Sequence, residues 1–256
     1  LYCIVLLSNM KFKSFIKNKY RSYFEHSYAS PIEVERCERI FYMNYLRRGM
    51  TVFDVGASIG ETSLLFSRFV GNCGKVHAFE ASNSSFKKLA LMCQIATQFQ
   101  ITLNHKAVAD KEGLLKLHVY DDNHLGWNSL AERSLQRYGI DVKPTHIEEV
   151  EAVTIDNYCK GNNISQIDLL KIDVEGAEYQ VLLGSRSMLK SQRIRCCVFE
   201  FGATTFDMGN DPKEIETYLK QFGYTIKNVV KGDPVFPGRS SAAEARFSVH
   251  VARPRG

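Results

Sequence analysis

Val52-Phe53-Asp54-Val55-Gly56-Ala57-Ser58-Ile59-Gly60 sets a short apolar strand, an acid and two glycines in G-x-x-x-G spacing directly before a helical run, Glu61–Phe69. Glycine lets backbone approach a ligand closely, and the start of a helix carries unpaired N–H groups. The unit then repeats. Strand Lys75–Phe79 leads to a helix over Ser84–Gln98 and a third strand at Ile101–Val108. Strand Ile167–Ile172, helix Ala177–Leu189, strand Arg195–Glu200 and helix Pro212–Phe222 follow later. Strands alternating with helices imply parallel βαβ units and an α/β, doubly wound sheet. Tyr224–Val230 and Arg246–Ala252 are linked by a Gly/Pro/Ser-rich loop, so they close the fold as an antiparallel hairpin. Residues 111–150 interrupt the rhythm with an expected hairpin at Leu114–Tyr120 and a polar loop around Gly126-Trp127-Asn128-Ser129, and Val150–Thr154 adds a short strand.

Ahead of this domain, read as residues 49–256, stands an N-terminal helical extension over 1–48. Ser30-Pro31-Ile32-Glu33 reads as an N-cap, a first-turn proline and a capping-box acid, and Val34, Cys37, Phe41 and Tyr45 then share one face. Over 11–24, Phe12, Phe15, Ile16, Tyr20 and Tyr23 fall at helical spacing among five basic residues. Such a helix can rest on an anionic membrane surface or a partner, or pack on its own domain with a solvated basic side. The apolar run Leu1–Leu7 is shorter than the ~18 residues of a membrane span. It is expected to be a loosely docked terminus, with the remnant of a signal or anchor as the other reading.

Charge separates the two parts. Residues 1–48 carry nine Lys/Arg and four Asp/Glu, and residues 49–256 carry 24 of each. A neutral main domain argues against nucleic acid as its partner. The seven cysteines are odd in number and form no C-x-x-C, which suits reduced thiols in the cytoplasm rather than a disulfide frame or zinc cluster.

The glycine turn matches neither the dinucleotide G-x-G-x-x-G nor the P-loop. Glu80, 24 residues after Gly56 at the end of the second strand, can take both ribose hydroxyls of a nucleoside. Val108-Ala109-Asp110 ends the third strand, where a carboxylate could accept from an adenine amino group beside a small residue; it reads equally well as a turn.

With these features the chain resembles the FkbM family of S-adenosylmethionine-dependent methyltransferases over about residues 50–254. The resemblance is carried by Phe53–Gly60, Ala78-Phe79-Glu80, Ala107–Asp110, Val198-Phe199-Glu200, Phe247–Pro254 and, most specifically, Asp168-Leu169-Leu170-Lys171-Ile172-Asp173-Val174-Glu175-Gly176-Ala177-Glu178. Ser58 departs from the Asn of many relatives, and Ala81-Ser82 from Pro-Asn. The resemblance implies a Rossmann-like class I methyltransferase sheet of seven strands and S-adenosylmethionine as cofactor. Asp54, Gly56, Ala57, Ser58, Gly60, Glu61, Thr62, Glu80, Ala81, Ser82, Ala109, Asp110 and Asp173 would bind it. It also implies methylation of a hydroxyl on a sugar, glycan or secondary metabolite.

A hydroxyl nucleophile needs a base or a charge that steadies its alkoxide. Lys171, Asp173 and Glu175 are the catalytic candidates. Lys171 and Asp173 alternate along one strand and so face one side of the sheet near its carboxyl end. Asp173 suits either the cofactor's methionyl amine or the base itself, and Lys171 could steady a carboxylate or the alkoxide. Asp173, Glu175 and Glu178 could together hold Mg²⁺, or Glu175 and Glu178 could cap the next helix. Glu200 either lines the acceptor pocket or pairs with Lys171. Trp127, the single tryptophan, would suit a sugar if the insertion folds over the cleft, and otherwise packs. Two other function classes compete: a catalytically silent cofactor-binding or membrane-associated module, and an NAD-type oxidoreductase, which lacks its fingerprint here.

Overall fold

The computed structural model describes residues 28–95, 100–121, 124–131, 133 and 141–255. The basic stretch 11–24 lies outside the described residues. From Pro31 onward the chain forms one compact unit. No helix among the described residues is long and apolar enough to cross a membrane.

In chain order the main sheet takes β1 (Thr51–Val55), β2 (Lys75–Phe79), β3 (Ile101–Asn104), β7 (Leu169–Ile172), β8 (Cys197–Phe201), β9 (Tyr224–Asn228) and β10 (Ser248–Pro254). Its spatial order is β3-β2-β1-β7-β8-β10-β9, with β10 antiparallel to both neighbours. This is the seven-stranded class I methyltransferase arrangement expected from the sequence. The central strands are buried on both faces, as parallel strands under helices must be. The chain runs outward from β1 in one direction and from β7 in the other, so a ligand crevice opens between their carboxyl ends.

Helix α1 (Pro31–Tyr45) packs against this sheet. Its buried stripe is Val34, Tyr42 and then Leu46 just beyond, rotated from the expected Val34-Cys37-Phe41-Tyr45 face. Tyr42 meets Phe66 of α2 (Glu61–Val70) edge-on at 4.8 Å. Phe41 and Tyr45 stack on each other beneath the Arg253 guanidinium.

After α3 (Asn83–Ile95), the third strand departs from expectation. It stops at Asn104, whose carbonyl accepts the Glu80 N–H, while the next residue, His105, stacks on Phe86. The chain bends there, and β4 (Ala107–Val108) joins a second, three-stranded sheet. That sheet contains the insertion. Rather than a local hairpin, β5 (Gly113–Val119) pairs antiparallel with β6 (His146–Val153), longer than the short strand read from sequence.

Helix α4 (Ile155–Gly161) was not evident in the sequence, although Thr154 caps it by accepting from Asn157 N–H at 3.1 Å. The helix expected over Ala177–Leu189 is two, α5 (Glu178–Leu183) and α6 (Arg186–Lys190). Ser185 Oγ turns back to the Val181 carbonyl, and the break aims the start of α6 at Asp156, which accepts from Ser187 and Met188 N–H. Helices α7 (Ala203–Asp207) and α8 (Pro212–Gln221) complete the layer.

Candidate active site

Where β1 ends, Gly56 has φ +82°, and a Cβ there would stand 1.7 Å from the Asp173 carbonyl oxygen. The turns after β1 and β7 therefore touch backbone to backbone, which any side chain would prevent. Gly56 and Ala57 both donate to the Phe79 carbonyl, at 3.0 and 2.9 Å, so these two N–H groups are spent on the fold. What the turn presents is bare glycine surface.

Beside it Glu80 accepts from Ser58 N–H through Oε2 and from Ser82 N–H through Oε1, each at 2.8 Å. A carboxylate offers about four acceptor positions, so each oxygen keeps capacity for a further donor. Burial pushes the Glu80 carboxyl up to about 7, with the two backbone donors pulling the other way.

A charged ladder crosses the sheet face beneath α1 and α2. Asp54 and Lys171 are register partners on β1 and β7. Lys171 Nζ lies 2.9 Å from Asp173 Oδ2 and 3.6 Å from Asp54 Oδ1, and Asp54 accepts from Ser63 Oγ at 2.6 Å. Burial opposes the Lys171 charge, but Asp173, Asp54 and Glu38 outweigh it and hold the ammonium above its usual range. Burial also raises Asp54.

Two cavities meet over this ladder. The first, about 310 Å³, is bounded by Gly56, Ser58, Glu80 and Ala81, by Lys106, Ala107 and Val108 at one end, and by Asp173, Glu175 and Glu200 at the other. Its volume lies at the small end of ligand sites. Gly126, Asn128, Ser129 and Leu130 of the insertion form part of its wall. Ser129 Oγ donates to the Glu175 carbonyl at 2.9 Å, and Arg133 Nη1 stands 3.2 Å from the Glu175 carboxylate. Glu175 itself is left-handed, φ +53°. Burial pushes its carboxyl up to about 8 against the pull of Arg133. Trp127 is not on the wall; its ring packs with His124 at 4.5 Å and under Arg133 at 5.7 Å.

The second cavity, about 460 Å³, runs between α1 and α2 past Glu38, Tyr42, Glu61, Thr62 and Lys171. It shares Glu35, Asp173, Glu200 and Phe247 with the first.

The residues singled out from sequence thus divide into groups. Gly56, Ser58, Glu80, Ala81, Asp173 and Glu175 line the first cavity, and Glu61, Thr62, Lys171 and again Asp173 line the second. Asp54, Ala57, Gly60 and Ser82 are buried behind the wall. Ala109 and Asp110 stand apart, because the bend at His105 carries them into the second sheet. There Ala109 is core, donating to the Val153 carbonyl, and Asp110 is exposed; Lys106, Ala107 and Val108 reach the cavity in their place. Glu178 caps its helix turn, accepting from Val174 and Gly176 N–H at 3.2 and 3.1 Å. With Glu178 so engaged and Glu175 facing Arg133, the three acids do not converge. Among the described residues no group of three His, Cys, Asp or Glu is set to hold a metal ion. The sequence reading missed Glu35 and Glu38 on α1. The only local signal was an acid four residues before the buried Tyr42, whose hydroxyl donates to Glu38.

The methyltransferase FkbM domain matches residues 54–226. The chain is 31% identical over 216 residues to the 31-O-demethyl-FK506 methyltransferase FkbM of Streptomyces tacrolimicus, covering 75% of this chain and 78% of that one. Among solved structures it is similar to the methyltransferase FkbM of Methylobacillus flagellatus, with 14% identity, a TM-score of 0.48, and 84% and 50% of the two chains covered. It is also similar to an rRNA methylase of Streptococcus thermophilus, with 12% identity, a TM-score of 0.47, and 89% and 99% covered. By the domain match and the curated relative, this chain is a member of the FkbM methyltransferase family.

Proposed function

We propose that this methyltransferase uses S-adenosylmethionine and methylates a hydroxyl group on a sugar, glycan or secondary metabolite. The observation that carries the reading is the pairing of the bare Gly56 turn with Glu80 on one cavity wall, at the carboxyl edge where the strand order reverses. A nucleoside needs a surface without side chains to lie against and a carboxylate with spare acceptor capacity for its vicinal hydroxyls. Gly56 and Glu80 supply them.

S-adenosylmethionine brings an already activated methyl group on a sulfonium, which leaves positioning and proton removal to the protein. Glu80 would bind the ribose. Ser58, Ala81, Ala107 and Val108 would bound the nucleoside, and Asp173, oriented by Lys171, would receive the methionyl ammonium. Glu175 would secure the insertion over the cavity through Arg133. Holding the acceptor oxygen in line with the methyl group is the main source of rate in such a displacement. Magnesium forms no part of this reading, since Glu178 and Glu175 are already engaged. We further take the setting to be cytoplasmic, on the scattered cysteines of the sequence.

Titration calorimetry with S-adenosylmethionine and with NAD tests the cofactor. Binding of the first and not the second is expected, and the reverse would overturn the reading. Transfer of labelled methyl to a panel of methyl glycosides and simple alcohols, with and without EDTA, tests the acceptor. Label in a methyl ether, unaffected by the chelator, is expected; label on nitrogen or carbon would overturn O-methylation.

A further inference from the structure

Methyl transfer must take place where the acceptor and the cofactor can touch, and with the cofactor in the first cavity the wall it shares with the second is such a place. Four side chains form it: Glu35, Asp173, Glu200 and Phe247. Phe247 has no proton chemistry. Asp173 is held by the Lys171 ammonium at 2.9 Å. Glu35 is on the exposed face of α1, in water. Glu200 is different. It is the penultimate residue of β8, one register step beyond the Ile172–Phe199 pair, which sets it beside Asp173 on the same face of the sheet. It is half-buried, and no hydrogen bond or ion pair from a described residue engages its carboxylate.

On the cofactor reading above, we propose that Glu200 is the general base, and that the positive charge of bound S-adenosylmethionine is what arms it. The second cavity, between α1 and α2, is then the acceptor's approach.

The electrostatics of the site supply the arming. Burial pushes the Glu200 carboxyl well above its usual range. Asp173, Glu175 and Glu38 reinforce the shift, and Lys171 opposes it; Glu35 shares the wall from α1. In the free protein this carboxyl therefore holds its proton more tightly than an ordinary carboxyl does. A sulfonium held at the shared wall would favour the ionised form and so promote release of that proton to solvent. The acceptor's O–H bond then breaks toward Glu200, its oxygen lone pair forms the new C–O bond, and the C–S bonding pair stays on sulfur. Glu200 ends the cycle protonated, beside a neutral thioether. Nothing but acceptor, methyl donor and one released proton enters the balance.

The test needs no acceptor. S-adenosylmethionine and S-adenosylhomocysteine share ribose, adenine and the amino-acid ammonium and carboxylate, so Glu80 and Asp173 respond alike to each; only the first carries the sulfonium. Calorimetry in buffers of different ionisation enthalpy counts the protons released. S-adenosylmethionine is expected to release more than S-adenosylhomocysteine. Glu200→Gln should abolish that excess and weaken S-adenosylmethionine more than S-adenosylhomocysteine. Equal release by the two ligands, or an excess that survives Glu200→Gln, would overturn the proposal. If neither ligand binds, the cofactor reading itself fails, which is a separate and visible result. On any methyl glycoside the wild type methylates, Glu200→Gln should cost about 10²–10⁴ in rate; a near-normal rate would also overturn it.

Discussion

Arg133 holds the Glu175 carboxylate at 3.2 Å while Ser129, four residues earlier, holds the Glu175 backbone carbonyl at 2.9 Å. One turn after β7 is thus gripped twice by the insertion, and that turn is also cavity wall. The left-handed backbone of Glu175 is a conformation that a non-glycine residue keeps only when its surroundings enforce it. Arg133→Met should remove the charged contact, at a cost of about 1.5–3 kcal/mol. The insertion should then exchange amide hydrogens faster over 113–131, with weaker cofactor binding. Because burial raises the Glu175 carboxyl to about 8, the grip should strengthen as pH rises through that value and slacken below it. Exchange in the insertion that is indifferent to Arg133→Met would mean that the second sheet alone holds it.

Glu80 makes a second pH-dependent contact. Hydroxyl donors prefer the ionised carboxylate, and burial sets its titration at about 7. Cofactor affinity should therefore climb from pH 6 to pH 8 and level off above. Glu80→Gln should flatten the climb and lose about 1.5–3 kcal/mol of binding at pH 8. Titration calorimetry at three pH values reads this directly, and an affinity untouched by the substitution would remove Glu80 from the ribose.

Lys171 is as much a structural group as a functional one. Asp54 is fully buried, with Ser63 and Lys171 as its polar neighbours. Lys171→Met strands that carboxylate, and losing one partner of a buried pair costs about 3–5 kcal/mol. Asp54→Asn added to Lys171→Met should recover part of the loss, because the stranded charge is gone. Urea denaturation of the single and double variants measures the coupling. If the double variant is simply the sum of the singles, the two residues do not depend on each other.

The sequence disclosed the parts of this molecule that are local and periodic. The strand-turn-helix at Val52–Gly60 and the acid at Glu80 could be read because each sits at a fixed point of a βαβ unit. That Lys171 and Asp173 share a face follows from the two-residue period of a strand. The parts that stayed hidden depend on distant neighbours. Nothing adjacent to His105 announces that its ring will stack on Phe86 and bend the chain, which is why Ala109 and Asp110 were expected at the site. The break at Gly184-Ser185 answers to Asp156, about thirty residues upstream. Glu38 was hidden in the same way. Its place on the second cavity follows from Tyr42 packing on Phe66 of another helix, a contact no short-range pattern encodes.

Among the groups remote from the site, His250 should govern how the protein responds to acid. It is fully buried on β10, its Nε2 accepts the Phe236 N–H at 2.9 Å, and the rings of Phe199, Phe201 and Phe236 surround it. Burial pushes the imidazole down to about 3, against an ordinary value of 6.5. The unfolded chain therefore binds a proton there below pH 6.5 that the folded chain refuses until about pH 3. Stability from this residue is complete above 6.5 and drains away as pH falls, by about 1.4 kcal/mol per pH unit inside the window. Several buried carboxyls act in the opposite sense, so the total curve does not isolate His250; the difference between wild type and His250→Gln does. Glutamine can still accept the Phe236 N–H but has nothing to protonate. The variant should be less stable than wild type at pH 7, and the gap should narrow steadily down to pH 4 in denaturant titrations. A gap that stays constant with pH would show that His250 already carries its proton in the folded state.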